Sequence, residues 1–242
     1  MSANRAVGTR HKPDASRRIG LFGGTFDPIH LGHIAVARAA ERAFRLNQVI
    51  FIPVGHPPHK PASDLPPYEH RFGMVALACA GYPHFVTSLA ESGYDGAEPR
   101  VCYSVDTVRL FREQFNQPGD RLYFILGADS FLDLPAWKDY ETLLDLCDFI
   151  VASRPGFRTD ALRQVIPPRL LPSPAEPLAA DSAAAADSLS IPLLHTTVHL
   201  LDNVKSRVSA TEVRRRLENR RSIHGLVPPR VEEYIIKQAL YR

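Results

Sequence analysis

Two histidines three residues apart, His30 and His33, with Gly32 between them, carry the sharpest chemical signal in the chain. Each imidazole can donate a hydrogen bond to a phosphate oxygen, and the three-residue offset puts both on one side of a helix's first turn. They close the stretch Gly20-Leu21-Phe22-Gly23-Gly24-Thr25-Phe26-Asp27-Pro28-Ile29-His30-Leu31-Gly32-His33. There a short apolar strand enters two glycines and then a helix expected from about Leu31 to Phe44. Glycine lets the backbone approach a phosphate closely, and the free N–H groups of a helix start attract an anion. Gly32 is expected to leave room for a base or ribose. The spacing is neither GxGxxG nor GxxxxGKS, so neither a dinucleotide fingerprint nor a Walker loop is supported. A bare HxxH is ordinarily a pair of surface histidines. The strand, the Gly-Gly turn and Thr25-Phe26-Asp27-Pro28 ahead of this one raise it to a phosphate site.

A second candidate lies about 180 residues downstream, in Val208-Ser209-Ala210-Thr211-Glu212-Val213-Arg214. Ser209 and Glu212 have the S-x-x-E spacing of a capping box, which marks a helix start and by itself says nothing of function. Paired with the first motif, it reads as a second helix N-terminus whose hydroxyls and N–H groups hold a triphosphate, with Arg214 one turn in. Arg215, Arg216, Arg220 and Arg221 read as a solvated helix face.

The stretch from Phe22 to His33 resembles the nucleotidyltransferase superfamily marked by an HxGH signature. It is similar, nearly letter for letter, to the opening of the bacterial nicotinate-nucleotide adenylyltransferases. The signature alone is shared with pantetheine-phosphate adenylyltransferases, cytidylyltransferases and class I aminoacyl-tRNA synthetases, so it gives the reaction type and not the acceptor. The resemblance implies that His30 and His33 are catalytic. It also implies that Gly23, Gly24, Thr25, Phe26, Gly127, Asp129, Ser130, Ser209, Ala210, Thr211 and Arg214 bind ATP. Ala210 stands where a second serine is common, so backbone contact must serve there.

Further segments resemble the same enzymes and imply an acceptor site of His59, Lys60, Ser104, Trp137, Lys138 and Arg154. Pro57-Pro58-His59-Lys60 follows the second strand, where alone it would read as a rigid turn with a solvated lysine. Tyr103-Ser104 opens a helix where the family has Tyr-Thr, keeping the hydroxyl and losing the methyl. Gly127-Ala128-Asp129-Ser130 ends the fourth strand and Arg154-Pro155-Gly156 follows the fifth. Trp137, the one tryptophan of the chain, follows Leu134-Pro135 at the same edge, where an indole can stack on a pyridine ring. Arg154 can fork onto a phosphate. The implied reaction is adenylyl transfer from ATP to nicotinate mononucleotide, in NAD biosynthesis. Mg2+ would accompany ATP, bridging its β- and γ-phosphates mostly through water, with no protein-built metal site.

Positioning such residues requires strands that end at one edge. Short apolar runs alternate with helical patterns: Ile19-Gly20-Leu21-Phe22, Val49 to Val54, Phe85-Val86, Arg121 to Leu126, Phe149 to Ala152 and Thr197 to Leu201 as strands. Helices are expected over Pro67 to Ala80, Tyr103 to Phe115, and from about Thr211 and Val231. The alternation implies an α/β fold, a doubly wound, mainly parallel Rossmann-like sheet with right-handed crossovers and a C-terminal helical segment. Residues 1–18 read as a disordered basic leader and 19–242 as one domain. Residues 167–192, with six prolines and seven alanines, read as an inserted flexible loop.

Composition bounds the rest. The net charge is +3, which argues against a bulk electrostatic nucleic-acid binder. It divides into +4 over residues 1–18, +6 over 205–242 and −7 between, a pattern that suits a local anion site. Three scattered cysteines without a CxxC exclude a disulfide scaffold and suit a reducing cytoplasm. No apolar run approaches the ~18–20 residues of a membrane span. Expected partners are therefore ATP and a mononucleotide, with no nucleic acid and no membrane; oligomeric state is not legible. Three other readings stay open: an adenylyltransferase for another acceptor, a non-catalytic nucleotide sensor on the same fold, and an RNA-binding module using the basic C-terminal segment.

Overall fold

The computed structural model of the chain describes residues 16–56, 65–93, 101–153, 157, 159–173, 190–202, 204, 206 and 208–241. In order these form β1 (Arg18–Gly24), α1 (Leu31–Phe44), β2 (Gln48–Pro53), α2 (Tyr68–Cys79), β3 (Phe85–Thr87), α3 (Ser104–Gln114), β4 (Arg121–Gly127) and α4 (Ala128–Leu132). Then follow α5 (Tyr140–Leu146), β5 (Asp148–Ala152), α6 (Thr159–Val165), β6 (Ser190–Pro192), β7 (Thr197–Leu201), α7 (Ala210–Glu218) and α8 (Pro229–Lys237). The strands make one seven-stranded sheet in the order β3-β2-β1-β4-β5-β7-β6. Every pairing is parallel except β6 with β7.

Strand periodicity divides the core into two halves. Ile19, Leu21, Ile50, Ile52, Phe124 and Leu126 face one side, where Val105, Val108 and Phe111 of α3 and Leu143 and Leu144 of α5 cover them. Phe22, Phe51, Tyr123 and Ile125 face the other, under Ile34, Ala37, Ala40 and Phe44 of α1 and Val231 and Ile235 of α8. Successive side chains of a strand point to opposite faces, so a sheet covered on both sides reads as continuous apolar runs. Strand order reverses at β1, with β2 on one side and β4 on the other. In such sheets the crevice beyond the carboxyl ends of the strands, at the reversal, is where ligands bind.

Two expectations need correction. The leader is shorter than residues 1–18: Arg17 lays its guanidinium across the Asp120 carboxylate, 2.5 Å away, and Arg18 begins β1. Those hydrogen bonds from Arg17 hold the Asp120 carboxyl down to about 2. The insert is also narrower than 167–192. Pro168–Leu170 forms a 3-10 turn and Ser190–Pro192 pairs antiparallel with β7, burying Ile191. One large side chain in a proline-rich segment is enough to anchor an edge strand. Residues 174–189 and 1–15 lie outside the described residues. Finally, α4, α5 and α6 were not legible, because each is a helix of five to seven residues, too short to display a 3.6-residue period.

Candidate active site

The carboxyl ends of β1, β2, β4 and β5 open into a cavity of about 1120 Å3. Ligand pockets typically measure ~300–1,000 Å3, so this one lies just above the upper end of that range. The β1–α1 turn supplies Gly23, Gly24, Thr25, Phe26, Asp27, His30 and His33 to its wall. The turn is tightly wound: Phe26 has φ 47, a left-handed conformation that costs a bulky residue on the order of 1–3 kcal/mol. Its buried ring meets Phe22 and His33 edge-on, at 5.7 and 5.1 Å between centroids.

His30 is the N-cap of α1. Its Nδ1 accepts the Gly32 N–H at 3.1 Å, while its own N–H donates to His33 Nδ1 at 3.2 Å. This is a capping box built from two imidazoles. Each Nδ1 is an acceptor and therefore carries no proton, which leaves Nε2–H as the donor of each neutral ring. The rings stack at 3.7 Å between centroids, 23° apart. Burial pulls the His30 pKa down to about 4. Burial, and then the neighbouring His30, hold His33 well below the ordinary histidine range. At neutral pH the pair is two uncharged, fixed N–H donors.

Gly32 itself lies in the cavity wall, between His30 and His33. A Cβ there would lie 2.8 Å from the His30 ring and 3.0 Å from the Val208 carbonyl. Glycine is needed so that the residues leading into α7 can press onto the start of α1. Ser209 caps α7 by accepting the Glu212 N–H at 3.2 Å. The other half of the expected capping box is replaced, since the Glu212 carboxylate is taken by Arg215 and Arg216. Ser209 and Ala210 line the cavity; Thr211 and Arg214 do not. Arg214 instead donates from one guanidinium nitrogen to the Asp27 carbonyl at 2.5 Å and the Asp27 carboxylate at 3.2 Å, clamping the two phosphate motifs together.

On the other side of the cavity, Gly127, Asp129 and Ser130 stand at the β4–α4 junction, and Ser104, Trp137 and Lys138 line the wall beyond them. Among the described residues no side chain caps the N-terminus of α3; the Asp106 N–H donates to the Tyr103 carbonyl at 3.0 Å, which leaves the N–H groups of Ser104 and Val105 at the helix start. Trp137 is half-buried, edge-on to Phe124 at 6.4 Å between centroids. Lys138 is engaged, 3.0 Å from an Asp106 carboxylate oxygen and 4.4 Å above the Tyr103 ring. His59, Lys60 and Arg154 lie outside the described residues.

Two charged residues here have no signal in the sequence. Glu91 is buried in the cavity wall and accepts the Thr107 hydroxyl at 2.6 Å; burial raises its pKa. Arg71 of α2 is 2% exposed. It donates to the Pro66, Thr25, Val54 and Gly55 carbonyls at 2.7–3.2 Å, tying the phosphate turn to the end of β2. A charged residue in a helical pattern reads as solvated; only the approach of four backbone carbonyls distinguishes this one. Gly55 is constrained in the same hidden way: a Cβ there would sit 2.0 Å from the Glu91 carbonyl oxygen. Among the described residues no three His, Cys, Asp or Glu side chains gather into a metal cage, and no helix is long and apolar enough to cross a membrane.

Residues 21–216 match the cytidylyltransferase-like family model. A Moorella thermoacetica protein named "probable nicotinate-nucleotide adenylyltransferase" is 40% identical over 93% of this chain and 92% of its own length. A Pelobacter propionicus protein of the same name is 41% identical over 93% and 98%. In fold the chain is similar to a Plasmodium falciparum nicotinic acid mononucleotide adenylyltransferase complexed with NaAD. That likeness has a TM-score of 0.67 at 19% identity, over 93% of this chain and 97% of the other. With a cavity at the β1/β4 reversal, a paired-histidine helix cap and this extent of identity, the chain belongs to the nicotinate-nucleotide adenylyltransferases of the cytidylyltransferase-like family.

Proposed function

We propose that the chain transfers the adenylyl group of ATP to nicotinate mononucleotide, giving nicotinic acid adenine dinucleotide and pyrophosphate, a step of NAD biosynthesis. The observation that carries the mechanism is the His30–His33 cap, two neutral Nε2–H donors held in place by the backbone of α1. A phosphate oxygen of the mononucleotide attacks the α-phosphorus of ATP, the bond from that phosphorus to the bridging oxygen breaks, and pyrophosphate leaves in line. The nucleophile is already an anion, so no general base is required. Catalysis then consists of positioning two polyanions and stabilising charge on the transferring phosphorus. The histidines donate to the α- and β-phosphates, while Ser209 and the first N–H groups of α7 hold the rest of the triphosphate.

On the acceptor side, the free α3 N–H groups and Ser104 suit a carboxylate, which accepts from all of them, and Trp137 suits the pyridine ring. His59, Lys60 and Arg154 supply positive charge for the mononucleotide phosphate. Asp27 and Glu91 are occupied by Arg214 and Thr107, and Asp129 is the exposed carboxylate at the rim. This donor set fits Mg2+ that would be carried on the nucleotide's own phosphates, where it would supply neutralisation of the charge on the leaving pyrophosphate. A cytoplasmic setting is part of the reading, supported by three free cysteines.

A pyrophosphate-release assay with ATP or CTP and, as acceptors, a panel of mononucleotides and pantetheine phosphate tests the proposal. ATP with nicotinate mononucleotide is expected to turn over and yield the dinucleotide. Turnover with pantetheine phosphate instead, or none with any mononucleotide, overturns it.

A further inference from the structure

The two recognition elements of the acceptor half, the start of α3 and the segment of Trp137, are joined by one lysine. Lys138 follows the 3-10 turn Leu134–Ala136 and Trp137, and its Nζ lies 3.0 Å from Asp106 Oδ2 on α3. The same ammonium sits 4.4 Å from the centre of the Tyr103 ring, at the residue that precedes α3. Arg109, one turn further along the helix, donates to Asp106 Oδ1 at 3.1 Å, so the carboxylate is fixed between two cations. The backbone around Lys138 is shaped for this reach. Trp137 is extended, at φ −85 and ψ 147, and Asp139 is left-handed at φ 48 before α5 begins. The indole itself rests on the sheet, edge-on to Phe124 at 6.4 Å between centroids. Its neighbour makes the tie to α3. Tyr103, Ser104, Trp137 and Lys138 all line the cavity, whereas Asp106 stands behind them, outside the lining.

We infer that Asp106 is a positioning residue of the mononucleotide site, acting through Lys138 on Trp137. The inference rests on the reading of this half of the cavity as the mononucleotide site. Each end of the bridge is a near neighbour of a recognition group: Asp106 is two residues past Ser104, and Lys138 adjoins Trp137. Holding Nζ on Oδ2 therefore sets the place of the indole relative to the hydroxyl and N–H groups that meet the ring substituent. Stacking on the ring and hydrogen bonding to its substituent can be made together only when that spacing is right. An exposed ion pair alone contributes little. This one is reinforced by the aromatic ring under the same ammonium and by Arg109 on the other carboxylate oxygen. The charge of Lys138 is thus answered within the protein and is not offered to the substrate's anion. The sign of the effect separates this role from a direct one. A tether that is cut loosens the indole and weakens mononucleotide binding, whereas a ligand lysine released from Asp106 would strengthen it.

The test is a double-mutant cycle on the full chain with Asp106→Asn, Lys138→Met and the double variant. Asp106→Asn keeps the shape of the side chain, and its thermal midpoint is expected to stay within about 2–4 °C of wild type. Trp137 is the one tryptophan of the chain, so its fluorescence anisotropy in the free protein reports the tether directly. Asp106→Asn is expected to lower that anisotropy and to raise KM for nicotinate mononucleotide about threefold. Values of kcat and of KM for ATP are expected to stay within about twofold of wild type. In the Lys138→Met background the same change has no further effect on either readout. Tighter use of the mononucleotide by Asp106→Asn, equal weakening in both backgrounds, or an unchanged anisotropy overturns the proposal. Failure of the wild-type protein to use nicotinate mononucleotide would overturn the reading of the site instead, and the anisotropy of the free protein would still decide the tether.

Discussion

The two halves of the cavity are built differently. The phosphate half comes from two contiguous segments, residues 20–33 and 206–214, each a loop entering a helix, locked together by the Arg214–Asp27 pair and the contact of Val208 on Gly32. The acceptor half is gathered from separate places: Glu91, Ser104 at the start of α3, Trp137 after a 3-10 turn, and Lys138 held by Asp106 on a different element. The transferring phosphorus demands fixed donors at fixed distances, and a helix cap supplies them from neighbouring residues. Recognition of a ring and its substituent needs only a few groups converging from anywhere. Chemistry is thus concentrated in sequence, and specificity is dispersed.

The largest expected effect follows from the phosphate half. His33→Ala removes a donor aimed at the transition state and is expected to lower kcat by ~10²–10³, with the circular dichroism spectrum retained. A variant with near-normal kcat would break the assignment of chemistry to the cap.

The same cap has a signature in stability. Burial holds the His30 pKa at about 4 when folded, against 6.5 for the free side chain. Between those values the unfolded chain binds the proton and the folded chain does not, so stability falls as pH drops from 6.5 towards 4 and is fully present above 6.5. Across that window His30 contributes roughly 3 kcal/mol, because a tenfold difference in proton affinity is worth about 1.4 kcal/mol. His33 and His199 act in the same sense, while Glu91, whose pKa is raised, acts in the opposite one. Urea unfolding across this window, compared between wild type and His30→Asn, isolates the contribution: the variant's stability should depend less steeply on pH. An identical slope would place a proton on the folded His30 ring and remove the neutral-donor account.

Smaller effects are expected in the acceptor half, where no single group dominates. Trp137→Ala should weaken nicotinate and nicotinamide mononucleotides alike, by about three- to tenfold in KM, as loss of one ring stack implies. Ser104→Ala should weaken the acid more than the amide and narrow the preference about threefold. If either variant instead lowered kcat as severely as His33→Ala, the division between the halves would collapse.

The same division governed what could be read from sequence. Six of the seven sheet strands, α1 and the two loop-to-helix motifs were legible because each is contiguous and its periodicity or turn chemistry is local; β6 was not, since it lies in a segment rich in proline and alanine. Arg214 was read as a phosphate ligand; that its guanidinium instead grips Asp27, 187 positions away and outside the cavity lining, was not legible. Glu91 and Arg71 escaped because their roles consist of long-range partners, a threonine hydroxyl in one case and four carbonyls in the other. Residue type without those partners reads as surface charge. Gly32 was noticed as room for a ligand, and it does line the cavity; that its missing Cβ also lets the residues before α7 pack on α1 was not legible.

The central claim, a donor-lined site that selects a ring carboxylate for adenylyl transfer, is tested most directly by kcat/KM of the wild-type protein for the two mononucleotides with saturating ATP. A nicotinamide brings its own NH2 donors against the α3 N–H groups and Ser104, and one unpaired buried donor costs ~1–3 kcal/mol. The account therefore predicts that nicotinate mononucleotide is preferred by at least about tenfold, the equivalent of ~1.4 kcal/mol. Equal use of the two, or preference for the amide, would contradict it.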